Sequence, residues 1–351
     1  LNLSGYTVFT EAASGNFAVT PISALLAGAE KVYAVARDSR YGSVEEVSAH
    51  LLQLARKAGV EKRLAITRDF SDLGKADIIT NLGFLRPIDA SKISLLKPHA
   101  VIPLMWETWE FREADLDLRA CFERDILVLG TDEHHPDLQI FRYVGGIAAK
   151  LLYELQLEVF RSRIVLVGGG EFGKSVAETL LKMGSNVEQV SSLAEKNMPA
   201  ECRWLGSSLS DAVSSLEKAD AIVFAEHIRE DQLLGEQANM SVERLLEINR
   251  DIKIAHISGL IDADALIAAG VEFKPESPAK QARTMSVTTG YVGPRPIVEL
   301  HTAGLKVGEE MARARVSTAS FAAAKEAALQ YPLCQDFPDH ILHKHQPGAE
   351  K

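Results

Sequence analysis

Three things are scarce in these 351 residues: cysteine, long apolar runs and an excess of positive charge. Cys121, Cys202 and Cys334 stand far apart and are odd in number. That excludes a disulfide framework and a cysteine-ligated metal cluster, and it suits idle thiols in a reducing, cytoplasmic setting. No apolar stretch approaches the ~20 residues needed to cross a bilayer. The formal net charge of −10 argues against non-specific nucleic-acid binding and against an anionic membrane surface. The opening Leu1-Asn2-Leu3-Ser4-Gly5 does not read as a signal peptide. There is no low-complexity segment and no repeat beyond two α/β halves. What remains is an ordinary globular composition, 46% hydrophobic and 25% charged, in a chain long enough for two domains with their own cores. The expected partner is a small molecule.

The most informative stretch is Arg163-Ile164-Val165-Leu166-Val167-Gly168-Gly169-Gly170-Glu171-Phe172-Gly173-Lys174. Residues 164–167 form a short apolar run of the buried parallel-strand type. A helical pattern follows through Val176, Leu180 and Leu181. This is G-x-G-x-x-G with a strand before it and a helix after it, the context a dinucleotide fingerprint requires. Gly168 permits the tight turn, Gly170 lets a pyrophosphate approach the backbone, and Gly173 lets helix and strand pack closely. The first helical turn, with Glu171 and Phe172, offers backbone N–H groups to the phosphates. A second strand, 187–190, ends where a carboxylate usually grips the ribose 2′-hydroxyl. Here that place holds Ser191 and Ser192, which do not repel a 2′-phosphate. The expected cofactor is NADP or NAD, with NADP favoured and Lys196 the nearest cation.

Strand-like and helix-like patterns alternate along the first 137 residues. Strands are expected at 6–10, 31–36, 64–67, 76–80, 100–106 and 126–130. Ser43 and Glu46 have capping-box spacing at the start of a helix. A long helix is expected over 138–160, with Gly145-Gly146 inside it at a cost of ~1 kcal/mol per residue relative to Ala. Close helix packing, across a homodimer for example, would explain the pair. Further strands are expected at 202–205, 221–225, 253–257 and about 285–287. A Gly- and Pro-rich hinge at 288–296 follows, then helices at 297–314 and 317–329, and a polar mobile tail at 335–351. The fold class is therefore α/β: two Rossmann-like doubly wound domains, the N-terminal one completed by C-terminal helices. Residues 1–137 plus 294–334 form the substrate domain, 138–160 the connecting helix, and 161–288 the dinucleotide domain.

This order resembles the formate/glycerate-dehydrogenase-like group, which includes D-2-hydroxyacid dehydrogenases and S-adenosylhomocysteine hydrolase. The residues that carry the resemblance are Gly168 to Gly173, Ala255-His256-Ile257-Ser258-Gly259-Leu260-Ile261-Asp262 with Ala265 and Leu266, and Thr289-Gly290. The resemblance implies hydride transfer with a nicotinamide. It does not carry over an active site. The carboxylate-binding Arg of the dehydrogenases falls here at Ile257 or Ser258, and the His of the hydrolase falls at Leu260.

Acid/base candidates come from the residues themselves. Glu133, His134 and His135 form the most polar junction in the chain, with Asp137 suited to cap the following helix. A metal held by His134, His135 and Asp137 is disfavoured, because adjacent histidines do not share a helical face. His301 lies on the returning helix. Ala225, His227, Ser258 and Gly259 follow Rossmann strands and are expected beside the cofactor. Asn81, Trp106 and Glu107 end strands of the first domain and are expected to touch substrate in an interdomain cleft. The expected activity is hydride transfer to or from a small polar carbonyl, alcohol or imine. Left open are a lyase, cyclase or hydrolase with retained NAD, and a non-enzymatic ligand-binding protein.

Overall fold

The computed structural model describes residues 1–193 and 198–345. The chain splits into two compact units, Leu1–Leu138 with the chain from Pro294 onward, and Gln139–Gly293. In the first, the apolar runs form β1 (Thr7–Glu11), β2 (Lys31–Val35), β3 (Leu64–Thr67), β4 (Ile78–Ile79), β5 (Val101–Pro103) and β6 (Leu127–Thr131). They pair in parallel in the order β6-β5-β4-β1-β2-β3, and β15 (Cys334–Gln335) adds antiparallel to β6. Strand alternation sorts the side chains onto two faces. Val8, Val32, Ile78 and Val101 meet α1 (Val19–Leu26), α2 (Val44–Lys57) and α10 (Arg295–Ser317). Phe9, Val35, Ile79 and Ile102 meet α3 (Ala90–Ile93) and α4 (Leu118–Glu123). Ser43 and Glu46 close the expected capping box on α2. The returning α10 lies tightly on the sheet: a Cβ at Gly304 would stand 2.2 Å from Met105 Sδ, and one at Gly308 2.8 Å from Ile78 Cγ2.

The second unit comprises α5 (Arg142–Glu154), β7 (Arg163–Val167), α6 (Gly170–Lys182), β8 (Asn186–Val190), β9 (Arg203–Gly206), α7 (Val213–Leu216), β10 (Ala221–Ala225), β11 (Gln232–Leu234), α8 (Val242–Ile248), β12 (Lys253–Ser258), β13 (Leu260–Ile261), α9 (Ala263–Ala268) and β14 (Phe273–Lys274). Its parallel order is β14-β12-β10-β7-β8-β9. Both units are therefore doubly wound. The winding direction reverses between β1 and β4 in the first and between β7 and β10 in the second. Ligands of open α/β sheets gather at such reversals, beyond the carboxyl ends of the strands.

Several local expectations differ from the structure. The helix expected over 138–160 is regular only as α5, and the chain after it passes through positive φ at Gln156 (56°) and Arg161 (70°). Gly145 belongs to an intrachain contact. A Cβ there would stand 1.9 Å from Thr179 Oγ1 and 2.6 Å from the Ser175 carbonyl on α6, so the glycine pair is no ground for a dimer. The stretch 285–287 forms only an isolated bridge, Met285 to Ser258, and the sheet edge is β14 instead. After α11 (Phe321–Leu329), residues 335–345 of the expected mobile tail carry part of β15 and then α12 (Asp339–His345), and 346–351 lie outside the described residues. Phe337 is buried and meets Phe111 edge-on, an apolar anchor that the polar composition hid. Among the described residues, no helix is long and apolar enough to cross a membrane. All three cysteines are free and buried; burial pushes the Cys202 and Cys334 thiols up to about 12.

Candidate functional site

In the second unit, β7 delivers the chain into Gly168 with φ at +137°, a conformation that side-chain-bearing residues rarely adopt. A Cβ there would meet the Ala225 carbonyl oxygen at 2.3 Å, so the ends of β7 and β10 touch across the crossover. Gly173 lies so close to the Gly168 carbonyl that its Cβ would stand 2.5 Å away, which lets α6 rest on the end of β7. Gly170, with φ at +57°, opens α6; a Cβ would stand 3.0 Å from His227 Cε1 and 3.2 Å from Ile228 Cδ1. The first turn of this 13-residue helix presents N–H groups that have no intrahelical acceptor. Glu171 sits in that turn, and Phe172 turns inward, buried.

Phe172 stacks on His227 at 4.2 Å between ring centroids and 19° between planes. Burial, helped by Arg283, holds the His227 imidazole down at about 4, so it is neutral beside the glycine bend. Glu226 shapes the loop after β10: its Oε1 accepts from the backbone N–H of Ile228 (2.8 Å) and Arg229 (3.2 Å). Ser191 is buried against the bend, where its Oγ would stand 2.3 Å from a Cβ on Gly169. That hydroxyl accepts from Leu193 N–H, and the Ser191 carbonyl accepts from Trp204 Nε1. Ser192 is exposed, and Lys196 lies outside the described residues. Val190, Ser207, Ser208, Arg229 and Gln232 line a depression beyond β8 and β9. Arg229 donates to the Ser207 carbonyl at 2.9 Å and pairs with Asp231. Sequence reading missed it, because it lies 38 positions after Ser191 and only the fold brings the two strand ends together.

The end of β12 is quiet. His256 is fully buried between Ser286 Oγ (2.6 Å) and the Gly259 carbonyl (2.8 Å), and desolvation lowers it to about 4. Gly259 takes φ at +112°. The Ser258 hydroxyl is buried without a hydrogen-bond partner among the described residues.

In the first unit, the loops after β5 and β6 bring Glu107, Asp132, Glu133 and His134 together. Glu107 is buried, and its Oε1 lies 2.6 Å from His134 Nδ1 and accepts from Glu133 N–H at 3.1 Å. Its Oε2 accepts from Trp109 Nε1. A carboxylate that only accepts places the proton on Nδ1. Gln335 Oε1 accepts from Thr108 N–H at 2.7 Å, so β15 helps hold the loop that carries Glu107. Burial first, then the charges of Glu110, Glu107 and Asp132, push the Glu133 carboxyl well above the usual carboxylate range. His135 accepts from Asp137 N–H at 3.3 Å, within its own loop. The candidate ligand atoms of Glu107, Asp132 and His134 lie within 4.8 Å of one another, close enough for a metal. The Glu107 oxygens, however, already accept three hydrogen bonds. His301 packs elsewhere on α10, 2.5 Å from Thr20 Oγ1 and tilted against Phe17; desolvation lowers it to about 4.

Asn81 and Trp106 follow β4 and β5. Asn81 Oδ1 accepts from Met105 N–H at 2.9 Å, whereas among the described residues its Nδ2 has no partner, and neither does Trp106 Nε1. An unmet buried donor costs about 1–3 kcal/mol. Arg86 lies beside them, its guanidinium 5.0 Å from the Trp106 ring centroid, its NH1 3.0 Å from Asp115 Oδ2 and its Nε also unmet.

No protein-family profile and no curated protein sequence matches the chain. Solved structures do match. Dipicolinate synthase A chain from Bacillus subtilis superposes with a TM-score of 0.54 at 12% identity, covering 89% of this chain and 96% of that one. NAD-dependent formate dehydrogenase from Staphylococcus aureus, in complex with NAD, gives 0.50 at 14% identity, covering 81% and 95%. A 2-hydroxyacid dehydrogenase from Ketogulonicigenium vulgare Y25 gives 0.51 at 14% identity, covering 90% and 97%. The fold is similar to that of these proteins. The likeness is one of fold, and it agrees with the resemblance carried by the short motifs.

Proposed function

We propose that the chain is an NAD(P)-dependent oxidoreductase that moves hydride to or from a small polar carbonyl, alcohol or imine. The observation that carries this reading is the bend at residues 168–173. It sits at the crossover of a parallel sheet and at the N-terminus of α6, where a diphosphate can approach backbone amides. The formate dehydrogenase of like fold holds NAD, which supports the same cofactor class here. When bound, the nicotinamide supplies or accepts the hydride. The protein's part is the proton. Glu107 orients the His134 imidazole, which gives a proton to the substrate heteroatom or takes one from it. Glu133, held towards its protonated form, keeps one more negative charge away from that dyad.

His134→Gln should lower kcat by ~10²–10⁴-fold and leave dinucleotide affinity unchanged. Nicotinamide absorbance followed across a panel of ketones and imines reads this directly, and an unaltered kcat would remove His134 from the mechanism. NADP is the preferred form in this reading. Ser191 offers a hydroxyl where a carboxylate would repel a 2′-phosphate, and Arg229 brings a cation to the nearby depression. Ser191→Asp should therefore shift the affinity ratio towards NAD, and an unchanged ratio would refute the preference.

A further inference from the structure

The glycine bend carries no cation of its own. Residues 168–173 are four glycines, Glu171 and Phe172, and Glu171 adds a negative charge to the first turn of α6. Against a diphosphate, the helix terminus offers roughly half an elementary charge. A cation stands beside the bend, brought from farther along the chain. Residues 275–287 leave β14 and fold back on the end of β12: Met285 bridges to Ser258, and Ser286 N–H donates to the Ile257 carbonyl at 2.8 Å. Ser286 Oγ accepts from Ala279 N–H at 2.8 Å and lies 2.6 Å from His256 Nδ1. Arg283 sits just before this anchored pair with φ at +57°, a left-handed conformation that a side-chain-bearing residue keeps only where its surroundings enforce it. Its NH1 lies 3.5 Å from Glu230 Oε1 in the loop after β10. The same loop carries His227, whose Cε1 would stand 3.0 Å from a Cβ on Gly170. The guanidinium is near enough for its charge to help hold the His227 imidazole down. Arg283, Glu230, His227 and the bend all lie in the second unit.

We propose that Arg283 binds the dinucleotide diphosphate at the glycine bend, and that Glu230 competes with the cofactor for it. A guanidinium is planar, always charged and forked, so two of its N–H groups can meet two phosphate oxygens at once. Its partner in the structure holds it loosely. The 3.5 Å separation exceeds the ~2.7–2.9 Å of a strong charge-assisted hydrogen bond, and the two side chains are 48% and 74% exposed. An exposed pair of this kind adds little to stability, so Arg283 exchanges Glu230 for phosphate at small cost. With the backbone anchored at Met285 and Ser286, the exchange is a movement of the side chain. The inference rests on the reading that a dinucleotide occupies the bend. It adds which side chain answers the diphosphate charge, and a competitor for that side chain within the same unit.

The test is calorimetric titration of the full chain with NADPH, NADH and ADP-ribose, which share the diphosphate. Arg283→Gln should weaken all three roughly tenfold or more and by about the same factor. Glu230→Gln should strengthen all three severalfold. The double variant should bind as Arg283→Gln does, because Glu230 acts by occupying Arg283 and not by repelling the ligand. Arg244→Gln, an exposed ion-pair partner on α8, should bind as the wild type does. Arg283 and Glu230 are exposed, so circular dichroism should show each variant folded. The proposal is overturned if Arg283→Gln keeps full affinity, if its loss is confined to NADPH, which would place the guanidinium on the 2′-phosphate, or if the gain from Glu230→Gln persists in the Arg283→Gln background. In each of those cases the dinucleotide still binds and the oxidoreductase reading stands. Absence of binding of all three ligands to the wild type at millimolar concentration would sink that reading and this inference with it.

Discussion

Burial has drawn His256 and His301 away from acid–base work. Each is desolvated to about 4, against about 6.5 in the open chain. Between those values the unfolded chain binds protons that the folded protein refuses. Their contribution is therefore fully present above pH 6.5 and is lost as pH falls to about 4, by at most about 3 kcal/mol each. Glu133 and Glu11 act in the opposite sense, since carboxyls held up by burial lose stability as pH rises through their folded values. Comparing wild type with His301→Gln cancels those terms. The urea midpoint of the variant should fall less steeply from pH 6.5 to pH 4, and parallel slopes would contradict the assignment. At this scale the sequence was only partly legible. It offered His134, which led, and also His301 as candidates, because local context does not record that one meets a buried carboxylate and the other a threonine hydroxyl. Arg86 went unnoticed for the same reason: its significance lies in Trp106, which meets it from the end of another strand.

Elements were more legible, where periodicity was long. Buried parallel strands such as β7 and β10 read as continuous apolar runs, and α2 announced itself by its capping box. Two-residue strands such as β14 and β15 have no periodicity to read, and only their pairing partners define them. Helix α5 shows what packing adds. Gly145 N–H donates to Ser175 Oγ at 3.1 Å, and the absent Cβ lets α5 settle onto α6. Gly145→Ala improves helix propensity yet forces Thr179 and the Ser175 carbonyl aside. It should cost about 1–3 kcal/mol net, read as a lower denaturation midpoint with the secondary structure content kept. A midpoint at or above wild type would mean that the two helices do not depend on this contact.

At the scale of the whole molecule, the same topological device appears twice. Each sheet reverses its winding once, and each reversal gathers residues far apart in the chain: Glu11, Asn81 and Trp106 beyond β1, β4 and β5, and Gly168, Ala225 and Glu226 beyond β7 and β10. The first unit also needs the chain's return, since α10 covers β4 and β5 and β15 braces the loop of Glu107. The alternation of strands and helices made this architecture readable in advance, whereas the donors clustered at the first reversal were visible only in the fold. In the proposed function, the second reversal holds a dinucleotide diphosphate against the backbone of α6. Titration of NADP(H) and NAD(H) into wild type and Gly170→Ala measures that most directly. Saturable binding to wild type, with roughly tenfold or greater weakening in a variant that stays folded, is the expected result. Absence of binding at millimolar concentration, or equal binding by the variant, would contradict it.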